Sequence, residues 1–527
     1  MRELLFILTT TAGQVTLTNA PDGWDESMIE WGRSEKYWGV FRSFTIPLKF
    51  VKDGAEAIRR EFYTYGTAGT GDLIIQRLNK LTLQYSNAYV GTLDFGTFKD
   101  TDINVEVNVM DSGLAKILKE NGETEYEVFA RSLDVLDPYI EFWSTRTGVS
   151  VGNWHGGVDV VDVVKRLLDA MTGGGYTAGT YGFKSDLLDG YKATGNEGDT
   201  TVTPIVMAKG LTFSVANANP VGNFSISFAD LYKSLVTFTG CGVGIEVIDG
   251  VETLVIEPRT YFFVNDSVAL ALGSVKNINV SVASKLVFNR LKIGWPTKDY
   301  QNRVKNEEPN ATSFWKSPNT TNGNELDMVG KVRADSIGIL DIIDSQSDGA
   351  NDDIFFCELD WDANYGGYWR LNTSSKAKQT GSAGEWYVGN ATLTPRRCIL
   401  ANQGWLESCH YGHSGDSLSF TAGENDLYNI EVKVWGNGGF GTYMKERNSV
   451  TLGGPLYFQP LTIEFEAALP VAMIDTLNSH ATELFSFTYE GEIYYGYVMN
   501  VKAKLAGRGS QKITLLSAFN DLTSLIR

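Results

Sequence analysis

Phe228–Arg259 reads FADLYKSLVTFTGCGVGIEVIDGVETLVIEPR and begins with a helical pattern. Its apolar residues at spacings of three and four are Phe228, Leu231, Leu235 and Phe238. This spacing predicts a short helix with one apolar stripe. Ser227 can cap the first turn, and the Gly240-Cys241-Gly242 cluster predicts where the helix ends.

The second half of the same stretch predicts a hairpin. Apolar strands over Gly244–Ile248 and Thr253–Pro258 flank Asp249-Gly250, and glycine supplies the positive φ that a tight turn requires. A helix followed by a hairpin cannot bury its own apolar face. We therefore expect this unit to dock on a larger β domain through the apolar stripe of the helix.

Length and composition favour a multi-domain β protein. The chain has 527 residues, enough for about three or four domains. Hydrophobic residues make up 43% and charged residues 20%, which excludes disordered and fibrous chains. Aromatic residues reach 12%, there are 55 glycines, and apolar and polar positions alternate repeatedly. The predicted fold class is mainly β with small α+β parts, with β-barrel or sandwich domains plus a small helix–hairpin domain.

The net charge of the chain argues against two classes of binding partner. It carries 63 acidic against 45 basic residues, a net charge of −18. This argues against a protein that neutralises nucleic-acid phosphates and against attraction to anionic lipid. The apolar run Leu4–Leu8, with Glu3 beside it, is too short for a signal peptide, and no run approaches the roughly eighteen apolar residues of a membrane span. We expect a soluble protein made in a cytoplasm.

Composition shifts predict four segments. Residues 1–137 should form an N-terminal β domain with an embedded helix, and 138–225 a helix with a Gly-rich insertion. Residues 226–300 should hold the small α/β helix–hairpin domain and further strands, and 301–527 a C-terminal β-barrel or sandwich domain. The role of the insertion at 173–221 stays open, because it shows no clear periodicity.

Periodicity predicts further elements along the chain. Helices are expected over 53–65, with Asp53 as cap and Ala57, Ile58, Phe62 and Tyr65 buried, over 110–120, over 159–171, and over 326–343 with a break at Gly330 or Gly338. Strands are expected over 103–109, 126–136, 268–272, 278–282, 287–293, 354–359, 393–400, 418–420, 430–435 and 462–465. A long hairpin is expected over 484–489 and 492–501, with Ile493, Tyr495, Tyr497, Met499 and Val501 sharing a face.

The only Cys/His cluster consists of Cys398, Cys409, His410 and His413. A zinc site needs four converging ligands, whereas adjacent Cys409 and His410 would diverge on a strand. With Cys241 and Cys357 there are four cysteines in all, too few for a disulfide scaffold in so long a chain. We expect reduced, buried thiols and no zinc.

Two other motifs partly match known ligand-binding motifs. Asp360-Trp-Asp362-Ala-Asn364 has calcium-loop spacing, but Tyr365 and Leu371 stand where that loop needs Gly and a bidentate Glu. A solvated acidic turn is the favoured interpretation, with a loose calcium site as the alternative. The Gly-rich segment 66–71 lacks the Lys-Ser/Thr of a phosphate loop and should end a helix. No cofactor is expected.

Catalytic signatures are missing from the sequence. It contains neither Gly-x-Ser-x-Gly nor His-Glu-x-x-His, and its four histidines leave few candidates for a triad. Glycan hydrolysis needs two carboxylates that flank a cleft, and among 63 acidic residues such pairs are inevitable and carry no weight. We predict that the chain is not an enzyme.

The segment Trp24–Phe50 is dense in aromatic residues, and Pro47 within it favours irregular or edge-strand structure. Such rings could stack on sugars, but they more often fill a core or an obligate interface. The candidate interface residues are Trp24, Trp31, Trp38 and Phe41 here, with Leu231, Leu235 and Phe238 on the helix.

Two parts of the chain resemble a known family. The unit over Phe228–Arg259, a helix, a glycine, an apolar strand, Asp-Gly and a strand ending in Glu-Pro-Arg, resembles the small domain of bacteriophage tail hub and baseplate proteins. LYFQPLTIEFEAALP (456–470), LFSFTYEGEIYYGYVMNVKAKL (484–505) and QKITLLS (511–517) look like the closing barrel of phage tail hub and distal tail proteins. The N-terminal aromatic segment followed by a helix is faintly similar to distal tail proteins.

The resemblance implies a structural protein of a phage tail tip, hub or distal tail ring. Its partners would be other copies of itself in a ring and neighbouring tail tube, hub or receptor-binding proteins, with DNA only as cargo in the channel and no membrane insertion. It would then reside in the virion. The alternative is a carbohydrate-binding adhesin or receptor-binding tail protein, distinguished by aromatic rings exposed in a shallow groove.

Overall fold

The structure is a computed structural model of the chain. It describes residues 4–25, 28–43, 45–78, 83–111, 113–128, 140–145, 152–193, 195–196, 203–210, 224–297, 308–317, 324–335, 338–339, 342, 352–362, 367–373, 375–379, 383–410, 419–422, 430–436, 439–446, 449–469, 476–477, 480–504 and 510–518. The predicted strand over 126–136 lies mostly outside these residues, as does His413.

The α-helices in chain order are α1 (Lys52–Tyr65), α2 (Leu114–Asn121), α3 (Val160–Met171), α4 (Asp186–Asp189), α5 (Phe228–Thr239), α6 (Pro395–Ala401) and α7 (Gln403–Ser408). Short 3-10 helices cover Gly66–Ala68, Arg259–Phe262, Ser284–Leu286 and Ala391–Leu393.

Strands make up most of the regular structure. The first are β1 (Leu4–Thr10), β2 (Gly13–Thr16), β3 (Met28–Arg33), β4 (Val40–Ser43), β5 (Thr45–Phe50), β6 (Gly71–Leu78), β7 (Tyr85–Asp100), β8 (Val105–Asp111), β9 (Glu125–Glu127), β10 (Ile140–Thr145), β11 (Gly152–Asp159) and β12 (Tyr181–Lys184). Next are β13 (Ile205–Lys209), β14 (Ser225–Ser227), β15 (Cys241–Ile248), β16 (Val251–Pro258), β17 (Val268–Ser274), β18 (Lys276–Val282), β19 (Arg290–Gly294), β20 (Ser313–Lys316), β21 (Glu325–Val329), β22 (Ile354–Asp362), β23 (Tyr368–Leu371) and β24 (Ser375–Gln379). The last are β25 (Glu385–Val388), β26 (Ser419–Ala422), β27 (Ile430–Lys433), β28 (Trp435–Gly436), β29 (Gly439–Phe440), β30 (Met444–Lys445), β31 (Val450–Thr451), β32 (Phe458–Ala468), β33 (Leu484–Tyr489), β34 (Glu492–Lys504) and β35 (Ser510–Ala518).

The N-terminal sheet has the strand order β2-β1-β6-β7-β8-β5. Alternation places Leu73 and Ile75 of β6 and Val105 of β8 in its core, fully buried. Strand β5, which contains Pro47, lies at the edge of this sheet as predicted, and an edge position spares proline the hydrogen bond it cannot donate. Helix α1 shares the same core through Ala55 and Ile58.

The C-terminal strands form the largest sheet, in the order β17-β33-β34-β35-β32-β18, and β3 and β4 of the aromatic segment join it through β34. The middle of its central strand β34 is buried on both faces. Tyr494 and Val498 belong to the core shared with the N-terminal sheet, whereas Tyr497 belongs to the core around α5. A bulge between Val498 and Asn500 then reverses the alternation.

A closed barrel of β10, β11, β13, β22 and β23 encloses a third core. Two mixed sheets pack nearby, with orders β12-β16-β15 and β21-β19-β20-β26-β31. Smaller sheets are β25-β24-β27-β30, β14-β9 and β28-β29. The chain is thus mainly β with several sheets, one barrel and a few helices, which confirms the predicted fold class.

The predicted segment boundaries do not separate these sheets. Strands from residues 28–43 and from the last third of the chain share one sheet, with Met28 opposite Lys504. The barrel draws on 140–159, 205–209 and 354–371, and so combines parts of the second and fourth predicted segments. Local composition cannot reveal such pairings, because the partner strands are far apart in the chain.

Several local predictions need correction. Glu325–Val329 is a strand paired in parallel with β19, where a helix was expected. Residues 395–401 form helix α6, where a strand was expected, and Pro395 at its first turn is the sequence signal that indicates a helix start. Asp53 does not cap α1, because the helix begins at Lys52 with Val51 as its N-cap residue, and the Asp53 carboxylate accepts hydrogen bonds from Thr18. Tyr65 is 52% exposed and Ile493 59%, so neither lies on a buried face.

Other predictions hold. Helices α1, α3 and α5 and the hairpin of β33 and β34 match their expected positions, and the turn at Glu490-Gly491 has positive φ at both residues. Within the described ranges, no helix combines the length and apolar character needed to cross a membrane.

Candidate functional site

Helix α5 is built as its sequence predicts. The Ser227 hydroxyl accepts a hydrogen bond from the Asp230 amide at 3.1 Å and caps the first turn. Gly240 ends the helix in the left-handed conformation, and its amide donates to the Val236 carbonyl. A Cβ at Gly240 would lie 2.7 Å from the Ala401 carbonyl oxygen, so α6 also requires glycine here.

The apolar stripe of α5 docks on several β elements. Leu231 and Leu235 are fully buried, and Phe238 is 6% exposed. The Phe238 ring lies 6.1 Å from that of Trp295, after β19, and 5.4 Å from that of Phe356 on barrel strand β22. The expected docking of the helix–hairpin unit is confirmed, and its targets are a mixed sheet and the barrel.

The aromatic hairpin of β3 and β4 reaches the same unit from the other side. Its tip pairs with β15, since the Gly39 amide donates to the Val243 carbonyl at 3.1 Å and the Val243 amide donates to the Tyr37 carbonyl at 2.7 Å. A Cβ at Gly39 would lie 2.3 Å from the Val243 oxygen, so only glycine permits this approach.

Arg33, at the end of β3, forms hydrogen bonds where the aromatic hairpin meets β15 and the C-terminal sheet. Its guanidinium donates to the carbonyls of Val498 (2.9 Å), Trp38 (2.7 Å) and Phe262 (2.8 Å), and it lies 4.6 Å from the centre of the Phe263 ring. Burial lowers the pKa of Arg33 to about 9. One side chain thus joins the aromatic hairpin, the C-terminal sheet and the segment after β16.

Arg259 holds a second buried position, directly after β16. Its guanidinium donates to Asn402 Oδ1 at 3.0 Å and lies 4.4 Å from the centre of the Trp405 ring. Asn402 in turn donates to the carbonyls of Val236 and Thr237 at the end of α5. The sequence gives no signal for either buried arginine, because their partners are backbone carbonyls and rings from distant segments.

Two open cavities flank the junction. One, of about 610 Å³, lies between the aromatic hairpin and α2, and the other, of about 540 Å³, lies between α5, β21 and α7. Lys36 and Glu123 line both and form an ion pair at 2.6 Å. The two cavities therefore meet at one ion pair.

The seven candidate interface residues fall into two groups. The first group is at most 6% exposed and packs inside this chain: Trp31, Trp38, Leu231, Leu235 and Phe238. Their surface is already used, so they are core residues here. Trp24 and Phe41 are half-buried, and a subunit contact stays a prediction for these two.

The three described members of the Cys/His cluster, Cys398, Cys409 and His410, are part of the core. Cys398 lies on α6 and Cys409 follows α7, both buried, and burial raises the pKa of each thiol. The two ring nitrogens of His410 face the carbonyls of Leu406 (2.8 Å) and Phe288 (3.0 Å). The described residues contain no group of three or more His, Cys, Asp or Glu side chains placed to hold a metal ion.

The carboxylates of the candidate calcium loop are paired with an arginine of this chain. Arg370 lies 2.9 Å from Asp360 and 3.1 Å from Asp362, and Asn364 falls outside the described residues. Both carboxylates thus form ion pairs with one guanidinium across β22 and β23. The Gly-rich segment begins with Gly66, which ends α1 as predicted.

Sequence reasoning missed a buried Ser–His contact. Ser144 Oγ lies 2.6 Å from His155 Nε2 between neighbouring barrel strands. A nucleophilic serine activated by histidine would need this arrangement. Ser144 is 4% exposed and His155 is fully buried, and neither residue lines either of the two open cavities.

A second missed feature is an aromatic cluster on the barrel. The rings of Trp143 and Trp154, opposite each other on β10 and β11, lie 5.1 Å apart, and Tyr368 lies 5.3 Å from Trp154. Trp154 is 40% exposed. Pairing brings these rings together, which the sequence alone could not show.

Comparison with known proteins gives structural neighbours only. No protein-family model and no curated protein sequence matches the chain. It is similar to prophage tail protein gp18 from Listeria monocytogenes EGD-e, with 9% identity over 99% of this chain and 97% of that one and a TM-score of 0.35. It is also similar to the tail protein from Neisseria meningitidis MC58 (9% identity, 99% and 98% covered, TM-score 0.36) and to the 43 kDa tail protein of prophage MuSo2 from Shewanella oneidensis (8% identity, 97% and 98% covered, TM-score 0.38). These neighbours are tail proteins, and TM-scores this low establish neither a shared fold nor a shared function.

Proposed function

We propose that the chain is a structural component of a phage tail tip, a hub, baseplate or distal tail ring subunit. In this role it assembles around the DNA channel and connects the tail tube to the parts that contact the host. The proposal starts from the sequence resemblance of the helix–hairpin unit and of the C-terminal strands.

One structural observation supports the proposal most directly. Both stretches that carry the resemblance contribute buried side chains to one hydrophobic core, Leu235 and Ile256 from the first and Phe458 and Tyr497 from the second, although they lie far apart in the chain. Phe263, close after the hairpin, lies 5.3 Å from Phe458 of β32 and 5.1 Å from Tyr497 of β34. Trp38 stacks on Phe458 at 6.1 Å. The resembling stretches therefore form one packed body, as parts of a single architectural unit would.

Antibody labelling of particles tests this proposal. Antibodies raised against the purified chain, followed by gold labelling and electron microscopy of virions, should mark the end of the tail. Labelling of heads, or no incorporation into particles at all, would exclude the proposed role. The native mass of the purified chain, measured with and without its neighbouring tail proteins, tests separately whether it forms rings.

The charge of the chain leads to an expectation about the assembled ring. With 63 acidic against 45 basic residues, a ring around DNA can place carboxylates on the channel wall and so prevent phosphate from sticking. This repulsion acts over roughly 10 Å at ordinary salt. In a map of the assembled particle we expect an acidic channel face, with lysines and arginines concentrated at subunit contacts. A basic channel wall, or a position away from the channel, would contradict this.

The barrel cluster favours a second candidate function, carbohydrate binding by a receptor-binding tail protein. Trp143, Trp154 and Tyr368 offer half-exposed ring faces of the kind on which sugar rings stack. Trp154→Ala should abolish binding to host glycans on an array, whereas Tyr387→Ala, at a 58% exposed ring elsewhere, should not. Absence of glycan binding by the parent chain would remove this candidate.

A further inference from the structure

The cavity beside α5 has a buried base and a charged rim. At its base lie Trp38, Tyr232, Arg259 and Trp405, each at most 5% exposed. The rim carries three ion pairs, Lys36–Glu123 (2.6 Å), Lys285–Glu35 (2.9 Å) and Lys233–Asp327 (3.6 Å), whose side chains are between 35% and 75% exposed. The mouth of the cavity is therefore lined by exposed charges in ion pairs, and its base holds one buried cation, Arg259.

The guanidinium at the base is incompletely satisfied. Nη1 of Arg259 donates to Asn402, and Nε is buried without an acceptor among the described residues. The groups that act on its charge are Tyr232, Cys241, Cys409 and Tyr457, all neutral near pH 7, and burial lowers the pKa of Arg259. No carboxylate of the described residues lies within ion-pair distance of it.

Two other buried arginines of the molecule have more acceptors than Arg259, since Arg33 donates to three backbone carbonyls and Arg333 pairs with carboxylates. Arg333 is 5% exposed, as Arg259 is, and its guanidinium lies 2.5 Å from Asp335 and 2.6 Å from Asp353. A buried cation is costly unless it is paired, and a carboxylate that accepts two parallel hydrogen bonds is its best partner. Arg259 has the burial of Arg333 without the carboxylates.

The charge of the cavity wall indicates the charge of the missing partner. The wall contains five basic residues (Lys36, Lys233, Arg259, Lys285, Lys331) and four acidic ones (Glu35, Glu123, Asp230, Asp327). It therefore has an excess of one positive charge, and the three lysines of the rim ion pairs have carboxylate partners whereas Arg259 at the base has none among the described residues. A monoanion compensates this charge, whereas a phosphate dianion or a nucleic acid would bring more negative charge beside the four carboxylates of the wall. The indole rings of Trp38 and Trp405, 5.5 Å apart, add flat apolar walls.

We propose that this cavity is a carboxylate-binding site, in which Arg259 receives one carboxylate group beside the rings of Trp38 and Trp405. The carboxylate belongs to a small apolar acid or to an Asp or Glu side chain of a second copy of this chain. The proposal does not depend on the role in a phage tail, because it follows from the charges and burial of the cavity alone.

The first experiment compares an acid with its neutral isostere. 3-Phenylpropanoate and 3-phenylpropanamide have the same shape and differ in charge, and calorimetric titration of the full chain measures the binding of each. We expect the acid to bind with a Kd of about 1 mM or lower and the amide to bind about tenfold or more weakly. Equal binding of both compounds would overturn a site based on charge.

Variants locate the binding. Arg259→Gln should abolish binding of the acid, whereas Arg290→Gln, which removes a half-exposed arginine of β19, should leave it unchanged. If Arg259→Gln does not fold, Leu326→Trp serves instead, because Leu326 is a half-buried wall residue at which a larger ring would fill the cavity. Acid binding that survives Leu326→Trp would contradict the site.

A second experiment distinguishes the source of the carboxylate. Sedimentation of the parent chain and of Arg259→Gln or Leu326→Trp, across a range of concentrations, measures self-association. If the variant associates more weakly than the parent, the carboxylate comes from a second copy. If it associates equally and the small acid binds, the site serves small acids. If it associates equally and the small acid does not bind, the proposal is wrong.

Discussion

Helices α1 and α5 are of similar length, but α1 lies at the surface of the molecule and α5 lies in its interior. α1 has 14 residues, of which five are buried, and Tyr63 and Tyr65 project from it with 71% and 52% of their surface exposed. α5 has 12 residues, of which nine are buried. A helix that is buried on nearly every side must lie inside a larger body, whereas a helix with one buried side covers a surface. α5 is therefore the central element of the fold, and α1 covers the N-terminal sheet.

The polar residues of the two helices differ in the same way. Ser234, Thr237 and Thr239 of α5 are buried, and each hydroxyl donates to a carbonyl one turn earlier, at 2.8 to 2.9 Å. Because these hydroxyls are already hydrogen-bonded within the helix, the polar side of α5 can be buried without contact to water. In α1 the buried polar group is Glu61, which accepts hydrogen bonds from Thr11 and Thr70. It ties the helix to the loops beside it.

The largest expected effect is on the central helix. Leu235→Asp places a charge at a fully buried position among apolar neighbours, and we expect a loss of about 4 kcal/mol or more in the free energy of unfolding. Tyr65→Asp at the exposed end of α1 should cost less than about 0.5 kcal/mol. Denaturant unfolding of both variants measures the difference. If Leu235→Asp unfolds like the parent, α5 is not packed as described.

The next effect concerns the contact between the aromatic hairpin and the α5 unit. Gly39→Ala forces a Cβ to within 2.3 Å of the Val243 oxygen, and we expect a loss of about 2–3 kcal/mol. Gly453→Ala has no atom within 4 Å of the new Cβ and is the matched control, with an expected change near zero. Equal melting temperatures for the two variants would show that the hairpin tip is not packed closely against Val243 of β15.

Glu61 tests the attachment of α1. Glu61→Ala leaves the Thr11 hydroxyl and the amides of Thr11 and Thr70 without their acceptor, so we expect a loss of about 2 kcal/mol. Glu56→Ala, at an exposed position of the same helix, should change stability little. Chemical denaturation of the pair reads out the difference, and identical midpoints would argue against this anchoring role.

The smallest effects concern the helix caps. Ser227→Ala removes the hydroxyl that accepts from the Asp230 amide and should cost about 1 kcal/mol. The N-cap residue of α1 is Val51, whose side chain makes no capping hydrogen bond. Val51→Thr, which keeps the shape and adds a hydroxyl, should therefore be neutral or stabilise by a few tenths of a kcal/mol. Thermal melts of both variants check these signs. A stabilising Ser227→Ala would contradict the cap.

The local pattern around α5 predicted its fold well, and the site around it poorly. The helix, its glycine end and the Asp249-Gly250 turn depend on neighbouring residues, and the structure has all three. The contact of Trp38 with Val243 and the position of Arg259 between aromatic rings depend on segments that are far apart in the sequence. A single sequence carries no signal for such pairings.

Short elements were misjudged for a different reason. Over Glu325–Val329 the apolar residues are Leu326, Met328 and Val329, too few to separate a helical from a strand period. Pairing with β19 decides the outcome there. Over 393–400 a strand was expected, but proline fits the first turn of a helix and α6 packs against α5 and the mixed sheet.

Native-state hydrogen exchange tests the central position of α5 most directly. Amides of Phe228–Thr239 lie inside the body and should exchange only when the whole chain unfolds, whereas those of Lys52–Tyr65 can exchange through local opening. We predict that mass spectrometry finds α5 peptides protected about a hundredfold or more beyond α1 peptides. Exchange of α5 at the same rate as α1, or faster, would contradict the account that the fold is organised around this helix.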